Sequence, residues 1–74
     1  MRSPNTFTNK VIKEQLALKA LSNKDFADQL GISLSSLYNR FHSKRSWKIE
    51  EVVRASELFG LPVSAFFASE QVSA

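Results

Sequence analysis

The chain has 74 residues, no cysteine, one histidine and a formal net charge of +3. A chain this short is one domain near the lower limit for unaided folding, and without cysteine neither a disulfide nor a thiolate metal site braces it. The single His42 has no partners for a metal site, so neither a metal nor a cofactor is expected. No apolar run approaches the ~20 residues of a membrane span. The start "MRSPNTFTNK" lacks the apolar stretch of a secretory signal. The cytoplasm is therefore the expected compartment.

Stability then has to come from apolar packing between helices, for which 43% hydrophobic content and the aromatics (six Phe, Trp47, Tyr38) are adequate. Two glycines and two prolines leave little room for β-hairpin turns, and the pattern predicts an all-α chain of five helices. An N-terminal arm over 1–6 precedes a domain over 7–68, and a polar tail over 69–74 follows. The first helix is predicted from about Thr8 to Ala20. Phe7, Val11, Leu18 and Leu21, with Ile12 and Leu16 beside them, form its apolar stripe.

Ser22 ends that helix and caps the next, its hydroxyl placed to accept the amide of Lys24 or Asp25. Leu21 before the cap and Phe26 inside the helix are spaced as a hydrophobic staple. The second helix, Asn23 to Leu30, turns Phe26, Ala27 and Leu30 inward. Gly31 stops it by taking a left-handed conformation. Ser33 caps the third helix, Leu34 to His42, and Ile32 with Leu37 repeats the staple. Leu37 and Phe41 are its anchors. The fourth helix begins near Trp47 to Ile49. Lys48 is a poor cap residue, so Ser46 is expected to cap it one turn earlier. Ile49, Val52, Val53, Ala55 and Phe59 are assigned to the core, and Gly60 ends the helix. Pro62 starts a short fifth helix, Val63 to Ala68.

Two short helices joined by a glycine-containing turn form a helix-turn-helix. The turn lets the second of them present one face to the core and the other to solvent. The outer face of the third helix carries Leu34, Ser35, Tyr38, Asn39 and His42, without an acid. Its donors and acceptors suit base edges, and an α-helix fits the major groove of B-DNA. Between Asp28 and Glu50 the chain has no acidic residue, while Arg40, Lys44, Arg45 and Lys48 fall in that gap. These cations and Lys24 are placed to meet phosphates. The bland alternative is a solvated basic face.

The stretch "SNKDFADQLGISLSSLYNRF" resembles the helix-turn-helix of the lambda-repressor and Cro-like (XRE) regulators. Phe26 and Ala27 match the apolar pair of the first motif helix, Leu30, Gly31 and Ile32 its turn, and Leu37 the buried position of the recognition helix. Downstream, "SKRSWKIEEVVRASELFGLPVSAFF" is similar to the last two helices of that family, especially of its short actinobacterial and actinophage members. The resemblance runs from about Phe7 to Phe67.

It implies a five-helix lambda-repressor-like domain that binds double-stranded DNA as a regulator, a repressor of the Cro or immunity-repressor kind, in the nucleoid of a bacterial or phage-infected cell. Leu34, Ser35, Tyr38 and Asn39 stand at base-contacting positions. Ser22, Asn23, Lys24, Ser33, Ser36, Arg40, His42, Lys44, Arg45 and Lys48 stand at backbone-contacting ones. Ala27 is the small residue at the helix crossing.

The family carries an aliphatic residue where Arg40 stands, so Phe41 is expected to pack and Arg40 to turn outward. Leu34 replaces the glutamine or arginine frequent at the first recognition position, which shifts direct readout to Ser35, Tyr38 and Asn39. Phe66 and Phe67 are adjacent and hard to bury together, which suggests a homodimer contact, one that can be weak and form on DNA. No glycine-rich phosphate loop, cysteine nucleophile or paired carboxylates point to an enzyme or a small-molecule substrate. The competing reading is a helical protein-interaction module, such as an antitoxin or anti-regulator, on the same fold.

Overall fold

The computed structural model describes residues 5–67. Most of the expected arm, the expected helix end at Ala68 and the tail lie outside the described residues. Four α-helices, α1 (Thr6–Leu18), α2 (Asn23–Leu30), α3 (Leu34–Phe41) and α4 (Ile49–Phe59), are followed by a 3-10 turn at Val63–Phe66. No strand occurs among the described residues. The expected fifth α-helix is thus a single tight turn, with the carbonyl of Pro62 accepting from the amide of Ala65.

Both motif helices start as their caps dictate. Ser22 accepts from the amide of Asp25 and Ser33 from that of Ser36, each at 3.1 Å. Such a bond satisfies one of the amides a helix start leaves without a partner. Each α-helix is followed at its C-terminal end by a left-handed residue: Ala20 at φ 53°, Gly31 at 75°, Ser43 at 59° and Gly60 at 69°. Gly31 and Gly60 adopt this conformation without strain, whereas Ala20 and Ser43 carry a Cβ against it.

The core collects Ile12 and Leu16 from α1, Phe26, Ala27 and Leu30 from α2, Leu37 from α3, Val52, Ala55 and Phe59 from α4, and Phe66. Phe26 and Phe59 stack with centroids 5.4 Å apart, an arrangement worth more than the area it buries. Ala27 is buried between α2 and its neighbours, as a close crossing requires.

Four expectations about the core are corrected. α1 spans Thr6–Leu18, because the amide of Leu21 turns back to the carbonyl of Leu16 and ends it early. Leu18 is then left 77% exposed at the last turn. Ile49 and Val53 are exposed as well, since Glu51, Val52, Ala55 and Phe59 define the buried face of α4 and this pair lies across the helix from it. Lys48, not Ser46, is the residue before α4. Its amide donates to the Glu51 carboxylate at 3.0 Å, so the acid three residues on does the capping that a serine was expected to do.

Candidate nucleic-acid interface

α3 is held by its inner face. Leu37 is fully buried, and Leu34 and Phe41 are half-buried against the core. The opposite face presents Ser35, Tyr38 and His42 to solvent, with Asn39 half-buried at its edge. Tyr38 is 43% exposed. Leu34 therefore divides its surface between packing and solvent, and the polar residues Ser35, Tyr38 and Asn39 form the open part of the face.

Arg40 does not turn outward. It is 6% exposed, and its guanidinium meets the equally buried Glu51 through Nε to Oε1 at 3.0 Å and Nη2 to Oε2 at 2.8 Å. This is the bidentate fork that suits arginine and a carboxylate. The physical reason lies in the helix period: Arg40 follows Leu37 by three residues and so shares its face. Burial pushes the Glu51 pKa up. The hydrogen bonds from Arg40 and the Lys48 amide, together with the charges of Arg40 and Lys48, outweigh it and hold the carboxyl below the usual glutamate range. The ion pair neutralises Arg40, which corrects its assignment to a DNA contact. The outward cations of the acid-free stretch are Lys44, Arg45 and Lys48.

Those three lie around one cleft at the C-terminal end of α3. Ser36, Asn39, Lys44, Arg45, Ser46 and Lys48 line it, and Arg40 forms its floor. The outer edge of α3 and the loop after it thus share a surface. At the other end of α3, Arg54 donates to the Leu30 carbonyl at 3.0 Å beside the turn. The Ser22 and Ser33 hydroxyls occupy the starts of α2 and α3, and Ser33 Oγ lies 3.0 Å from Ser36 Oγ. Lys24 is exposed there but pairs with Asp28 one turn on, at 3.6 Å. Asn23 is half-buried beside it.

The loop itself is tied to α1. Asn5 Nδ2 donates to the carbonyls of Arg40 (2.8 Å) and Arg45 (2.7 Å), and Asn9 Nδ2 to those of Arg40 and Phe41 (both 3.1 Å). Trp47 Nε1 donates to Asn9 Oδ1 at 2.7 Å. Sequence reasoning missed these residues. Asn5 fell in the expected arm and Asn9 off the apolar stripe; only their amide chemistry at a helix start hinted at a role.

Phe66 is fully buried, and its carbonyl accepts from Thr8 Oγ1 at 3.0 Å. It is therefore a core residue, which corrects its assignment to a dimer contact. Phe67 stays half-buried at the surface of the core.

A short helix ending at a glycine, a second helix fixed by one face, and an open polar face rimmed by cations define a helix-turn-helix DNA-binding module. A helix-turn-helix family model matches residues 12–66, and the chain belongs to that XRE-like family. The fold is accordingly lambda-repressor-like, and the family is one of DNA-binding regulators rather than enzymes. No curated protein and no solved structure matches the chain. Among the described residues, no helix is long and apolar enough to cross a membrane.

Proposed function

We propose that the protein is a sequence-specific repressor that lays α3 in the major groove of double-stranded DNA. Ser35, Tyr38 and Asn39 face the bases, and Leu34 offers its exposed edge to a thymine methyl group. Lys44, Arg45 and Lys48 hold phosphates on one side of the groove. Ser22, Asn23, Lys24, Ser33, Ser36 and His42 touch the backbone along the rest of the rim. The observation that carries this reading is the contrast within α3: an inner face immobilised by Leu37 and Arg40, and an outer face that is polar, free of acids and open.

The domain corresponds to the stretch from about residue 7 onward, and the protein works in the cytoplasm at the nucleoid. It binds as a homodimer assembled on DNA, with half-sites about one helical turn apart. With Phe66 inside the core, Phe67 is the aromatic left to meet a partner. Selection of bound duplexes from a random pool tests the whole reading. Enrichment of a two-fold-related motif is expected. If no DNA is retained even at low salt, a protein-interaction module replaces this function.

A further inference from the structure

We propose that Asn5, Asn9 and Trp47 are positioning residues for DNA binding: they hold the loop over 43–48 as a preformed seat for backbone phosphate. The inference rests on the DNA-binding reading above and extends it to side chains that touch no DNA.

The backbone after α3 turns through a left-handed residue that is not glycine, as it also does after α1 at Ala20. Ser43 sits at φ 59°, a conformation that non-glycine residues rarely adopt. The amides of Ser43 and Lys44 fold back to the carbonyls of Arg40 (3.1 Å) and Asn39 (2.8 Å), closing the helix end tightly. A left-handed serine persists where its surroundings over-determine it, and such strain gathers at functional sites. The surroundings here include Asn5, just before α1, and Asn9 within it. An asparagine amide has two N–H groups. Asn5 uses its amide nitrogen to join the carbonyls of Arg40 and Arg45, stapling the two ends of the turn together. Asn9 grips Arg40 and Phe41.

The Trp47 indole then donates to Asn9 Oδ1, which fixes the amide with its nitrogen toward the carbonyls. Asn5 also precedes α1, yet its side chain makes no capping bond there. The cations carried by this loop repel one another, and ordering them at the moment of binding would subtract from affinity; a loop held beforehand avoids that loss.

Trp47→Phe and Asn5→Ala in the full chain test the proposal. The first keeps an aromatic ring for the edge contact with Phe41 and removes the indole donor together with the second ring. Folding is checked by circular dichroism at the temperature of the binding assay, and affinity for a random duplex is measured across a salt series. Both variants are expected to remain folded and to bind about three- to tenfold more weakly, within the net range of a single hydrogen bond even though Asn5→Ala removes two. The dependence of log affinity on log salt should flatten as the cations leave register.

Folded variants with wild-type affinity and slope would overturn the proposal, even if their melting temperatures fall, because the network would then serve stability alone. Lys44→Ala separates the two layers. If it weakens binding while Trp47→Phe and Asn5→Ala do not, the positioning role fails and DNA binding stands. If Lys44→Ala also leaves affinity unchanged, the DNA-binding reading fails and the positioning role falls with it.

Discussion

The two ends of α3 are built on different physics. At its start, the Ser33 hydroxyl and the neighbouring Ser22 cap terminate helices through bonds to residues three positions away. At its end, the chain is fixed by Asn5, Asn9, Trp47 and Glu51, of which Asn5 and Asn9 lie more than thirty residues away in sequence. The first end is set by these short-range caps, with Arg54 bonding the Leu30 carbonyl beside the turn. The second is cationic, strained at Ser43, and dependent on the rest of the fold. On the proposed DNA-binding mode, the start of α3 sets where the helix begins and the cationic end supplies most of the phosphate contacts. Salt sensitivity should therefore come mainly from Lys44, Arg45 and Lys48, with a smaller share from Lys24, whose charge is already paired with Asp28.

The comparison is broken most severely at Glu51. Glu51→Gln leaves the buried Arg40 charge without its carboxylate, and the expected loss in chemical denaturation is about 3–5 kcal/mol, the range found when one partner of a buried pair is removed. The same pair has a pH signature. Because the folded carboxyl titrates below the usual glutamate value, its contribution is complete above the ordinary pKa of about 4.3 and is lost as pH falls through the lower folded value. The wild type should lose stability in that acid window more steeply than Glu51→Gln.

The opposite end should respond more mildly. Ser33→Ala removes a local cap and is expected to cost about 1 kcal/mol in thermal or chemical melts. Its slope of log affinity against log salt should match that of the wild type. Lys44→Ala should do the reverse. Stability should stay within about 0.5 kcal/mol, as for most surface changes, while affinity falls alike on preferred and random duplexes and the salt slope shrinks by about 0.9. Lys24→Ala should show the smallest effect of all on stability, about 0.5 kcal/mol or less, since its exposed pair with Asp28 contributes little. A salt slope that changed equally for Lys24→Ala and Lys44→Ala would remove the distinction between the two ends.

The same contrast explains what was legible in the sequence. Ser22, Gly31, Ser33 and Gly60 mark helix boundaries correctly because caps and stops act over a few residues. α2 and α3 could thus be placed almost to the residue, and with them the polar face of Ser35, Tyr38 and Asn39. The charged end was misread where the deciding partner lies far along the chain. Arg40 reads as a surface cation until Glu51 is brought against it, although its spacing from Leu37 already puts it on the inner face. Asn5 and Asn9 have no local signature for holding carbonyls. Ile49 and Val53 are apolar at helical spacing, but α4 is rotated so that Glu51 takes a buried place beside Val52. Val52, Ala55 and Phe59 hold that face inward, and Glu51 shares it with them, paired to Arg40.

The measurement that bears most directly on the account is the affinity of Asn39→Ala for a selected duplex and for a random one, at matched salt. Asn39 stands where the open polar face of α3 meets the cleft of Lys44, Arg45 and Lys48, so on the proposed mode it separates base reading from phosphate contact. Loss of a base-reading bond should cost about 1–3 kcal/mol on the selected duplex and leave random DNA nearly unaffected. Equal weakening on both duplexes would contradict the account, for it would make Asn39 another backbone contact and leave α3 without a reader at that edge.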